Sequence, residues 1–114
     1  MVKETVLEII QNYLQAVNQA GIRASQAVLF GSWARDEAHE DSDIDLVVIA
    51  PEFDGEWERD LLDKVWELTA FTPEAWRIEP IACGEREWLE DDQRLILEYA
   101  RQEGELITLT PQTV

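Results

Sequence analysis

The stretch DIDLVVIA, residues 43–50, constrains this chain most. Its β-branched run stopped by Pro51 predicts a buried strand, yet it opens on two aspartates one residue apart. Alternate residues of a strand share a face, about 6.6 Å apart along the chain, so Asp43 and Asp45 point one way and Ile44 and Leu46 the other. Like charges at that separation repel, and burying them unpaired is costly, so a compensating cation is expected beside them. Two carboxylates on one strand face suit one or two divalent ions, whose spacing in phosphoryl-transfer sites is roughly 3.5 to 4 Å. A strand end whose acids simply face water is the plainer alternative for an isolated D-x-D.

Ten residues upstream lies the feature that favours the cation. QAVLF, residues 26–30, is a second short apolar run, closed by Gly31-Ser32. Glycine lets the backbone approach a ligand closely, and a serine at a helix N-terminus adds a hydroxyl to free N–H groups and the positive end of the helix dipole. Those groups suit phosphate oxygens. The order therefore sets an anion cradle next to a cation site, the pairing that a metal-bound nucleoside triphosphate requires.

The remaining elements follow from periodicity. Val2, Val6, Ile9, Ile10, Tyr13, Leu14 and Val17 recur at helical spacing, with Gly21 placed to end the helix. SWARDEA, residues 32–38, is predicted helical with Ser32 as its cap. Residues 56–71 put Trp57, Leu61, Leu62, Val65, Trp66 and Leu68 on one side of a long helix. Residues 75–83 predict a third strand, with Pro80 requiring an edge or a bulge. Helical stretches at 85–90 and 92–103 and a short strand at 105–110 complete an α/β (α+β) arrangement: a small mixed β-sheet flanked by helices.

Length and composition narrow the rest. The 114 residues fit one domain spanning 1–114, with no repeat or linker. No segment approaches the roughly 18 apolar residues of a membrane helix, and the N-terminal stretch does not read as a signal peptide. One cysteine, Cys83, permits no intrachain disulfide, in keeping with a reducing cytoplasm. Nine Lys and Arg against 25 Asp and Glu give a formal net charge of −16. That field repels nucleic acid and anionic lipid, so direct partners of either kind are not expected, and it attracts divalent cations and a basic protein. An acidic surface that merely aids solubility is the equal alternative.

GSWARDEAHEDSDIDLVVIA resembles the G-S-x-A-R-G … S-D-x-D-L-x-V signature of the polymerase beta-like nucleotidyltransferase superfamily, and the short chain is similar to its minimal members. These are the antitoxins of toxin–antitoxin pairs with HEPN toxins. The resemblance implies that Gly31 and Ser32 hold the triphosphate of ATP and that Asp43 and Asp45 coordinate Mg2+, two ions in all. It implies a third acid on a neighbouring strand, for which Glu79 is the candidate, also able to act as general base. Arg35 matches the motif arginine and either meets phosphate or pairs with an acid. Asp36 departs from the family glycine and calls for a regular or left-handed backbone, while Glu79 stands for a more common aspartate. Ser42 is expected to shape the turn into the strand, and His39 to face solvent.

The implied activity is Mg2+-dependent transfer of AMP from ATP to a tyrosine hydroxyl of a basic HEPN ribonuclease toxin, silencing it. An inactive antitoxin that neutralises its partner only by masking it is the alternative, although four intact motif positions speak against decay. An EF-hand reading of DSDID fails, because Leu46 stands where that loop needs glycine. Trp33, beside the proposed cradle, is the expected docking residue, and Trp57, Trp66, Trp76 and Trp88 are expected to be mostly core.

Overall fold

The six residues Val6, Ile9, Ile10, Tyr13, Leu14 and Val17 are buried along one stripe of helix α1, Lys3–Gln19. Spacings of three, one, three, one and three keep them on a single side of a 3.6-residue turn. The computed structural model describes residues 3–38, 42–55, 59–90 and 93–109. Helix α1 ends as expected at Gly21, which takes φ 99°, a left-handed conformation open to glycine without strain. Asn18 Nδ2 then ties the end down by donating to the carbonyls of Leu14 and Ala24, each at 2.8 Å.

Four strands follow in the order β3-β2-β1-β4 across one sheet. They are β1 Gln26–Phe30, β2 Ile44–Ile49, β3 Ile78–Cys83 and β4 Glu105–Thr108. Strand β1 is antiparallel to both β2 and β4, while β2 and β3 are parallel and joined through helix α2, Arg59–Phe71. The sheet is mixed, as the sequence predicts. Pro80 sits on the outer strand β3, opposite Leu46, so its missing N–H costs the sheet no interior hydrogen bond.

Strand alternation divides the core in two. Ala27 and Leu29 of β1, Leu46 and Val48 of β2, and Ile78 and Ala82 of β3 pack with the stripe of α1 and with Val65 of α2. Tyr13 carries its hydroxyl into this layer and donates to the Val65 carbonyl, so its buried phenol has a partner and its pKa rises through desolvation. Val28, Phe30, Val47, Ile49 and Cys83 point to the opposite face. There they meet Leu97 and Ala100 of helix α4, Leu95–Glu103, with Trp88 of helix α3, Glu85–Glu90, against the edge. This second cluster is the smaller, and the sheet beneath residues 45 and 79 extends past it.

Four expectations are corrected. Residues 32–38 form no α-helix: a 3-10 turn at Gly31–Trp33 carries on only as far as the Glu37 N–H, which donates to the Ser32 carbonyl at 2.9 Å. Asp36 is left-handed, φ 57°, and a helix does not continue through such a residue. Residues 75–77 are a further 3-10 turn rather than strand, and α4 starts at Leu95. The tryptophans are inverted: Trp33 is 6 % exposed in the larger core, whereas Trp66 and Trp76 are 46 % and 65 % exposed. Trp88 is half-buried under the Arg101 guanidinium, 4.9 Å from its ring centre. Trp57 and His39 lie outside the described residues. No described helix is long and apolar enough to cross a membrane.

Candidate functional site

Registry decides which acids meet. Asp45 is paired with Phe30 on one side and with Glu79 on the other, so the last residue of β1, the second of β2 and the second of β3 form one row. Asp45 and Glu79 project from the same face as Val47 and Ile81, away from the larger core. Asp43, immediately before β2, shares that side by alternation. All three sequence-predicted acids are therefore brought together.

Their carboxyls lie near enough to act on one another: Glu79 feels both Asp43 and Asp45. Partial burial pushes the Asp45 carboxyl above its ordinary range, and the neighbouring Asp43 charge adds to this. Desolvation, then the charges of Asp43 and Asp45, push Glu79 up as well. Among the described residues no three His, Cys, Asp or Glu side chains are set around a point as a ready-made metal cage. The donor set nonetheless fits Mg2+: hard carboxylate oxygens, crowded enough that either protons or a cation must offset their repulsion.

Gly31 closes this row from the β1 side. Its φ is 73°, and a Cβ built on it would lie 2.2 Å from Asp45 Oδ2 and 3.1 Å from Asp45 Cγ. Glycine is thus required twice, for the left-handed turn and for the space the carboxylate fills. Ser32 follows, half-buried, at the start of the 3-10 turn. Trp33 then inserts into the larger core and fixes the turn to the sheet. The expected docking residue is instead an anchor, because the third residue of so tight a turn points back under the strand it leaves.

Beside Gly31 and Asp45 opens a cavity of about 360 Å³. Arg35 lines it, but as an ion-pair partner: Nη1 donates to Glu103 Oε1 at 2.9 Å and Nε to Glu37 Oε2 at 3.0 Å. Of the two fates open to Arg35, pairing with acids is the one observed. These partners raise its pKa, and its charge in turn offsets part of the rise at Asp45. The far wall is formed by Ile96, Tyr99 and Glu103 of α4, which sequence reasoning did not single out. Their spacing of three and four marks one helical stripe, offset from the buried Leu97 and Ala100, and that offset was a usable signal.

The nucleotidyltransferase domain family matches residues 10–103. That span runs from the middle of α1 to the end of α4 and takes in each of the residues Gly31, Ser32, Asp43, Asp45 and Glu79. A crystal structure of a toxin–antitoxin with AMP-PNP is similar in fold, with a TM-score of 0.52 and 20 % sequence identity, over 84 % of this chain and 70 % of that one. No curated protein matches. The four-stranded mixed sheet with its helices is consistent with the polymerase beta-like nucleotidyltransferase fold.

Proposed function

From the premise that this chain belongs to the nucleotidyltransferase domain family, we propose that it is an antitoxin that transfers AMP from ATP to a tyrosine hydroxyl of a partner HEPN ribonuclease toxin and so neutralises it. The observation that carries the transfer reading is the row of three carboxyls packed against a glycine whose missing Cβ makes room for one of them. A family whose chemistry is nucleotidyl transfer needs such a row where a nucleotide's phosphates can reach it. The similarity in fold to a toxin–antitoxin with AMP-PNP and the charge of −16, which suits a basic partner, support the antitoxin part.

Asp43, Asp45 and Glu79 would hold Mg2+. When bound, the ions would acidify the acceptor hydroxyl and neutralise charge on the departing pyrophosphate. Gly31 and Ser32 would present backbone N–H and hydroxyl donors to the phosphate oxygens, positioning the α-phosphate in line with the acceptor. The acceptor oxygen forms the new bond to the α-phosphorus as the bond to the β-phosphate oxygen breaks. Glu79, whose carboxyl already binds a proton more tightly than usual, suits the acceptor's proton. Among the described residues Asp43 and Glu79 are exposed, so a protein side chain can reach them from solvent.

The test mixes the purified protein with Mg2+, ATP labelled at the α-phosphate and the product of the neighbouring gene. Label on that product, lost with Asp43→Asn, is the expected result. Neutralisation without label, unchanged by Asp43→Asn, would establish masking instead.

A further inference from the structure

Arg35 has two acidic partners of unequal standing. Glu37 is two residues away on the same turn and its side chain is 66 % exposed, so the pair is a local surface contact of little strength. Glu103 is 68 residues away, 29 % exposed, and presented by the last turn of α4. That helix end is firmly seated. Leu97 and Ala100 are buried on the sheet, and at Gly104 an added Cβ would meet Val28 Cγ1 at 2.4 Å and the Ala100 carbonyl oxygen at 2.3 Å.

Glu103, Arg35, Asp45 and Gly31 line the same cavity. The guanidinium fork of Arg35 is the cationic group on that wall, and its geometry matches a phosphate as well as a carboxylate. Glu103 therefore holds the fork that a phosphate oxygen entering the cavity would use. Resting on the nucleotide reading above, we propose that Glu103 is a counter-ion latch: it positions Arg35 over the cavity in the nucleotide-free protein and is displaced from it by the incoming polyphosphate.

Exchange of one carboxylate for a more highly charged phosphate favours displacement, and Glu103, near the surface, turns to water at small cost. Glu103 is a positioning residue on this account. It weakens nucleotide binding by competing for Arg35.

The experiment measures binding of Mg2+ and the α,β-methylene analogue of ATP, which cannot undergo transfer, by calorimetry. The proteins are the wild type, Glu103→Gln, Arg35→Ala and the double variant. Arg35→Ala is expected to weaken binding at least about tenfold, the loss of a charge-assisted contact. Glu103→Gln is expected to tighten it about two- to fivefold, the range of a partly exposed ion pair. In the Arg35→Ala background Glu103→Gln is expected to change nothing, because the two act as one unit. Equal tightening in both backgrounds would reduce Glu103 to a through-space charge and overturn the latch. Unchanged or weaker binding by Glu103→Gln would overturn it too. Binding by none of the four, with unchanged thermal melts, would instead overturn the nucleotide reading and the latch with it.

Discussion

The two faces of the sheet differ in what holds them. One is covered from end to end by α1 and α2, and its side chains are apolar and almost wholly buried. The other carries a smaller cluster under α4 and then, towards one end of the same strands, three carboxyls side by side. On that second face much of the holding is polar. Arg101 donates to the Trp88 and Glu87 carbonyls, Arg94 to the Ala82 carbonyl, and Asp54 accepts from the N–H groups of Arg86 and Glu87 at the start of α3. The difference teaches that stability and chemistry are divided between faces: one layer is strong enough to let the other hold groups that repel one another.

The largest expected effect tests that division directly. Leu14→Ala, in the covered face, should cost about 3 to 5 kcal/mol, and Leu97→Ala, in the smaller cluster where α4 can settle, nearer 2 kcal/mol. Urea denaturation of both variants measures the gap, and equal losses would break the comparison. Asp45→Asn should lower transfer activity by roughly 10² to 10³ if the carboxyl row is the working site. Its thermal stability should rise rather than fall, because a repelling charge is removed.

Proton linkage gives the next effect. Asp45 and Glu79 bind protons more tightly folded than unfolded. Between the ordinary carboxylate range and their raised values the native state therefore carries the extra protons, and stability falls as pH climbs through that window. The advantage of Asp45→Asn over wild type should grow with pH across it and level off above. Above the window Mg2+ at ten times its Kd should stabilise the wild type by about 1.4 kcal/mol. It should do so less at acid pH, where protons compete, and not in Asp45→Asn. Thermal melts at pH 4 to 8, with and without MgCl2, read both.

The smallest effect is at the polar seam. Asp54→Ala removes the side chain that caps α3 from 32 residues away and should cost about 1 kcal/mol. Amide exchange should quicken in α3 while α1 stays protected. Cys83, buried on the same face with its thiol pushed up to about 12, should resist alkylation until the face opens, so its labelling rate gives a second measure of the seam.

Much of this was legible in the chain. The stripe of α1, the limits of β1, the edge position of Pro80 and the short last strand all follow from spacing and from the breakers around them. So does the shared side of Asp43 and Asp45, since strand alternation is local geometry. That Glu79 joins them was readable only as an implication of a family resemblance. Its place depends on the parallel register of β2 and β3, set across the whole of α2.

Where sequence reasoning failed, the cause was distance. Trp33 looks like a surface aromatic beside a polar loop, and only the turn at Gly31–Trp33 sends it under the sheet. Trp66 and Trp76 look like core on helical and strand patterns, but no described element packs over them fully, and they stay exposed. Glu103 is one acid among 25 until α4 carries it to Arg35.

The sequence by itself determined the first helix, the four strands in outline and the carboxylate pair, because backbone sterics and short-range periodicity act within a few residues. Only the tertiary structure decided which third acid completes the row, which tryptophan is anchor and which is surface, and what faces Arg35. Those choices are made by side chains 30 to 70 positions apart, whose meeting depends on strand register and helix packing, and no local pattern encodes either.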